Sequence, residues 1–152
     1  MLEAHALWDR GDLKAAFRSI REWALAGDDT AIQNLGLMYD RGEGTRRSRS
    51  KAMYWYRRSY LRGSATSASN IATVYRDEGK ARLAFAWYKR AAALGDGDAE
   101  VEIAKRYLAG DGAAKHRGLA IAALRRALST RYITPAAREE AKHLRRQVRR
   151  TT

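Results

Sequence analysis

The sequence predicts an all-α fold, a solenoid of about four stacked helical hairpins closed by a final helix. Three observations predict it. A tyrosine-and-glycine pattern returns along the chain, as NLGLMYDRGEG from Asn34, NIATVYRDEG from Asn70 and IAKRYLAGDG from Ile103. The segments that carry it place apolar residues at helical spacing. The composition is rich in Ala, Leu and Arg, with a single proline, Pro135, and few β-branched residues, which favours helix over sheet.

Spacing fixes the elements. Leu7, Tyr39, Tyr75 and Tyr107 occupy one recurring place, and Ser19, Trp55, Trp87 and Ala123 a second. From each second place to the next first place is twenty residues, whereas the step inside a unit alternates between 12 and 16. A length change confined to one point marks a loop between two helices of fixed length. The predicted units span 2–28, 31–63, 67–95 and 99–130, with a capping helix at 134–150, all in one domain over 1–152.

The first unit shows the pattern faintly, through Ala4, Ala16 and Gly27. In the second, Ala31, Leu35, Met38 and Tyr39 share one helical face, and Ala52, Trp55, Tyr56 and Ser59 share the next. The third repeats this with Ile71, Val74 and Tyr75, then Ala84, Trp87, Tyr88 and Ala91. The fourth keeps Ala99, Tyr107 and Ala120 but has Ala123 and Leu124 where its neighbours have Trp-Tyr. Glycines mark the turns: Gly42, Gly44, Gly79, Gly110 and Gly112 inside units, and Gly27, Gly63 and Gly95 after second helices, where a left-handed residue ends a helix. Small residues at matching places, Gly36, Ala72 and Ala104, allow close helix approach. Asp96 and Asp98 read as caps of a helix start rather than as a calcium loop. Thr134 and Pro135 open the last helix, whose Ala137, Ala141, Leu144 and Val148 form one apolar stripe with bases elsewhere.

Taken together, Ala31, Asn34, Leu35, Gly36, Met38, Tyr39, Gly42, Gly44, Ala52, Trp55, Tyr56 and Gly63 resemble the Sel-1-like repeat, a relative of the tetratricopeptide repeat. Residues 67–95 match through Asn70, Ile71, Tyr75, Gly79, Ala84, Trp87, Tyr88, Ala91 and Gly95, while the first and fourth units match more weakly. The resemblance implies a right-handed α-solenoid that binds and scaffolds partners without catalysing a reaction. It also implies a concave groove lined by the first helices, which would place His5, Trp8, Gln33, Leu37, Ser69, Thr73, Arg76, Val101 and Lys105 toward a bound protein or peptide. Small bacterial proteins of this kind include adaptors and inhibitors, or immunity proteins, that bind one toxin.

At 152 residues the chain has the length of one domain, enough to bury roughly two-thirds of its unfolded surface. It contains no cysteine, which excludes disulfides, zinc-thiolate sites and cysteine nucleophiles. The start MLEAHALWDRGD does not read as a secretory signal, and no apolar stretch approaches the roughly 18 residues a spanning helix needs. A cytoplasmic location is expected. His5, His116 and His143 lie far apart without a catalytic or metal-binding setting, and GEGTRRSRSK from Gly42 lacks the Walker order. No catalytic residue, metal or cofactor is expected.

The aromatic residues divide by position. Trp55, Tyr56, Trp87 and Tyr88 recur where the stack needs bulk and are expected in the core. Trp8 and Trp23 lack such a place, and Tyr54 and Tyr60 lie off the apolar face, which makes them candidates for contact.

Charge is the second signal. The net charge is +13, divided as −3 over residues 1–43 and +16 over 44–152. From Arg46 to Arg76 there are eight bases and no acid, and arginine supplies twenty-three of the thirty bases. The guanidinium fork suits carboxylate and phosphate partners. A basic rim is expected from Arg46, Arg47, Arg49, Arg57, Arg58, Arg62, Arg145 and Arg146, favouring an acidic protein. The alternative is nucleic acid or another anionic surface bound through the arginine-rich segments. Most bases fall on second helices, connectors and the cap, whereas a nucleic-acid groove would need them inside beside stacking aromatics, so the protein partner is preferred.

Overall fold

The computed structural model describes residues 2–150, and among them nine helices follow one another: α1 Leu2–Asp9, α2 Leu13–Leu25, α3 Asp29–Arg41, α4 Arg49–Tyr60, α5 Ala65–Asp77, α6 Ala81–Ala93, α7 Gly97–Ala109, α8 Arg117–Ser129 and α9 Pro135–Arg150. They form the expected hairpins, with a last helix after the fourth. The chain divides between Ser67 and Ala68 into two compact units.

Local chemistry sets the helix ends. Asp12, Asp28, Ser48 and Asp96 each accept a backbone N–H at the start of α2, α3, α4 and α7 through the side chain. His116 does the same for α8, its ring Nδ1 accepting from the Leu119 N–H at 3.1 Å. These contacts satisfy donors that a helix start otherwise leaves open. Gly42 and Gly110 end α3 and α7 in the left-handed region, each donating its N–H to the carbonyl four residues back.

In the first unit α1 packs on α2, α2 on α3 and α3 on α4. Its core holds Ile20, Ile32, Leu35, Met38 and Tyr56, all fully buried. Gly36 explains how closely α3 and α4 pair: a Cβ there would stand 2.6 Å from the Tyr56 ring, so the aromatic lies directly on the α3 backbone.

In the second unit α6 packs on α7, α7 on α8, and α9 on both α7 and α8. Ile71, Tyr88, Ile103 and Leu124 are buried. Trp87 is only half-buried, with the Arg90 guanidinium 4.5 Å above its ring, so one expected core aromatic also has an outer face. Helix α9 is fastened by Asp98, which accepts from the Thr134 N–H at 2.8 Å and its hydroxyl at 2.7 Å.

The alternation of loop length has a packing cause. In the two longer loops the second glycine lies against the start of the preceding hairpin's second helix, within the same compact unit: Gly44 meets the Leu13 carbonyl, and Gly112 meets the Ala81 carbonyl. An aromatic pair lies beside each contact, Phe17 edge-on to Tyr39 at 5.4 Å and Phe85 edge-on to Tyr107 at 5.2 Å. The four added residues therefore clamp successive hairpins together instead of looping idly into solvent.

Candidate functional site

The residues expected to line a groove fall into two sets, one in each compact unit. In the first unit His5 is 3.0 Å from Asn34, which joins α1 to α3, and Gln33 accepts from the Ser64 hydroxyl at 2.7 Å. Trp8 and Leu37 are half-buried and keep some surface. In the second unit Ser69 donates to Asp96 at 2.6 Å, and the hydroxyls of Thr73 and Tyr88 are 3.4 Å apart. Arg76 forks onto Asp77 at 3.0 and 3.1 Å and is exposed.

Val101 corrects the expectation: it is 1% exposed and presents no side chain to a partner. The surface of α7 is partly covered by α9, and Lys105 stands at that junction, 2.6 Å from Glu102 and 3.1 Å from Glu140. Burial acts to lower the Lys105 pKa, but the two carboxylates outweigh it and the value is raised. Most of the polar groove positions are thus engaged in holding helices together.

The basic residues behave differently. Within the acid-free run Arg46–Arg76, two arginines reach back to acids before it. Arg47 donates to the Asp40 carbonyl at 2.6 Å with its carboxylate at 3.8 Å, and Arg62 pairs with Asp29 and reaches the Gly27 carbonyl at 2.9 Å. These contacts tie the loop before α4 to the end of α3, and the residues just after α4 to the start of α3 and the turn before it. Arg46, Arg49 and Arg57 are exposed, and Arg58 lies with its guanidinium 5.4 Å from the centre of the Trp55 ring. Arg146 is exposed and Arg145 half-buried on α9.

Helix α4 brings these bases together with apolar surface. Its inner face carries Ala52, Trp55, Tyr56 and Ser59. Its outer face, with the residue just after its end, frames an open cleft of about 400 Å³ lined by Ser50, Met53, Tyr54, Arg57, Arg58 and Leu61. Tyr54 is 59% exposed and Leu61 82%. Met53 and Leu61 were missed in the sequence, although Leu61, two residues before the turn glycine Gly63, lies off the buried face of α4.

The histidines have plain roles in helix joining and capping at His5 and His116, and His143 is exposed. Among the described residues no three His, Asp or Glu side chains gather as a metal site would require, and no helix is long and apolar enough to cross a membrane.

A family model of the Sel1 repeat matches residues 30–64 and 74–96. Two solved structures are similar. A Sel1 repeat protein from Oxalobacter formigenes superposes with a TM-score of 0.74 at 23% identity, over 84% of this chain and 54% of that one. A protective antigen of uropathogenic Escherichia coli strains, c5321, which displays an SLR fold, superposes with a TM-score of 0.65 at 29% identity, over 74% of this chain and 25% of that one. This chain thus spans about half of the first protein's length and a quarter of the second's. No curated protein matches.

Proposed function

This chain carries Sel1 repeats, and on that premise we propose that it is a non-enzymatic interaction module that holds an acidic partner protein. Sel1 repeats are in general protein-interaction scaffolds. One observation carries the choice of an acidic partner: thirty bases face seventeen acids, and the largest acid-free run lies along α4 and its flanks, with Arg46, Arg49 and Arg57 exposed. Such a field speeds encounter with an acidic surface and disfavours basic ones.

The test is capture from native lysate at moderate salt, with and without nuclease, followed by reconstitution from purified components. The expected result is one acidic protein, retained after nuclease and rebinding at a fixed ratio. Heterogeneous material that leaves on nuclease treatment would replace it with nucleic-acid binding.

A further inference from the structure

We propose that the outer face of α4 is the docking surface, and that its occupant is an acidic amphipathic helix of the partner, seated with an apolar residue between Tyr54 and Leu61. The proposal rests on the acidic-partner reading above and moves the contact from the first helices to a second helix.

The first helices offer little that is uncommitted. Their polar side chains are joined to neighbours, as His5 is to Asn34 and Gln33 to Ser64, and Val101 is buried. Helix α4 instead keeps a continuous apolar and basic surface exposed around its cleft. Ser50, Met53, Tyr54, Arg57 and Leu61 follow helical steps of three and four residues, so they make one stripe along its length. Tyr54 at 59% and Leu61 at 82% exposure are among the most exposed large apolar side chains of the fold. Exposed apolar side chains clustered about a cleft and rimmed by charge mark an interaction site.

Charge complementarity selects the occupant. No acid occurs between Arg46 and Arg76, and the arginines beside the cleft present forks suited to carboxylates. The twelve residues of α4 span about 18 Å, the length over which a partner helix of three to four turns makes contact. An acidic helix with apolar residues one turn apart would set an anchor into the cleft and its carboxylates against Arg57 and Arg58. Tyr54 brings a rigid ring edge-on to Trp55 at 5.2 Å, which limits the conformational entropy lost on binding.

The test uses the whole isotopically labelled chain and a four-turn helical peptide with glutamates flanking two leucines one turn apart. Two control peptides carry glutamine for every glutamate or alanine for both leucines. The parent peptide is expected to shift the amide signals of Ser50 to Leu61, and each control to bind at least about tenfold more weakly, a loss of about 1.4 kcal/mol. The variants Tyr54→Ser and Leu61→Ser should keep the circular dichroism of the parent chain and reduce binding to the level of the alanine control.

Shifts centred on Trp8 and Leu37 would overturn the α4 site while sustaining an acidic partner. An unchanged affinity for the glutamine peptide, or no shift with the parent peptide, would also overturn it. Signals of Tyr54 and Leu61 that move with concentration of the chain alone would assign the face to a second copy. A DNA duplex that shifts the same amides when the acidic peptide does not would overturn both the docking site and the acidic-partner reading.

Discussion

At Gly36 the missing Cβ lets the Tyr56 ring rest on the α3 backbone, where a methyl group would come within 2.6 Å of the ring. Gly36→Ala gains about 1 kcal/mol of helix propensity but overpacks a closed core at a cost of about 1–3 kcal/mol. Because Tyr56 is fully buried, the loss prevails, and thermal denaturation should show a melting point lower by a few degrees. Tyr56 itself has its pKa raised, first by burial and then by Asp40. A raised value means stability that is complete below the ordinary tyrosine pKa of 10.0 and declines as pH rises above it. Urea midpoints measured across the alkaline range should fall for the parent chain and fall less steeply for Tyr56→Phe. Gly36 could be picked from the sequence as a small residue in a helix. Its partner ring could not, because the rotation of α4 against α3 depends on the whole contact.

Two replacements show what an element does with its position. Arg106 is 5% exposed, with its guanidinium 4.9 Å from the Tyr88 ring centre and one nitrogen 2.6 Å from Asp111. The matching position in the first unit is Met38, also buried. Arg106→Met should leave the melting point unchanged or raise it, because an apolar residue of similar volume avoids the desolvation of a buried charge. Arg106→Ala should lower stability by about 2–5 kcal/mol, as a cavity replaces the side chain. The loops can be separated in the same way. Gly44 has φ 69° and faces the Leu13 carbonyl, whereas Gly79 has φ 70° and no atom within 4 Å of a Cβ. Gly79→Ala therefore carries only backbone strain, about 1–2 kcal/mol, and Gly44→Ala should lower the denaturation midpoint much further. Asp98, read as a cap, accepts from Thr134 instead, but turns, helical faces and the Asp96 cap were readable because short-range rules set them. The clamp made by the longer loop and the burial of Val101 were not, since each depends on an element outside its own hairpin.

Across the whole molecule the chain repeats in pairs of hairpins as well as singly. Phe17, Met38, Gly44 and Ser48 are answered 68 residues later by Phe85, Arg106, Gly112 and His116. The pairing accounts for alternate loop lengths: every second hairpin carries the longer connection, which clamps the hairpin before it. The fold was legible from this periodicity, but the candidate site was only half legible. The arginine run was plain in the sequence, whereas the exposure of Leu61 and the engagement of the groove residues depend on which faces neighbouring helices cover. Whether the excess of bases serves one protein partner is decided by calorimetric titration of this chain with the purified captured protein at increasing salt. A single protein partner should give saturation at a fixed ratio and a Kd weakened by no more than about tenfold between 50 and 200 mM salt, far less than the roughly 10³–10⁵-fold loss seen when many phosphate contacts carry affinity. A loss of that larger size, without a defined ratio, would contradict it.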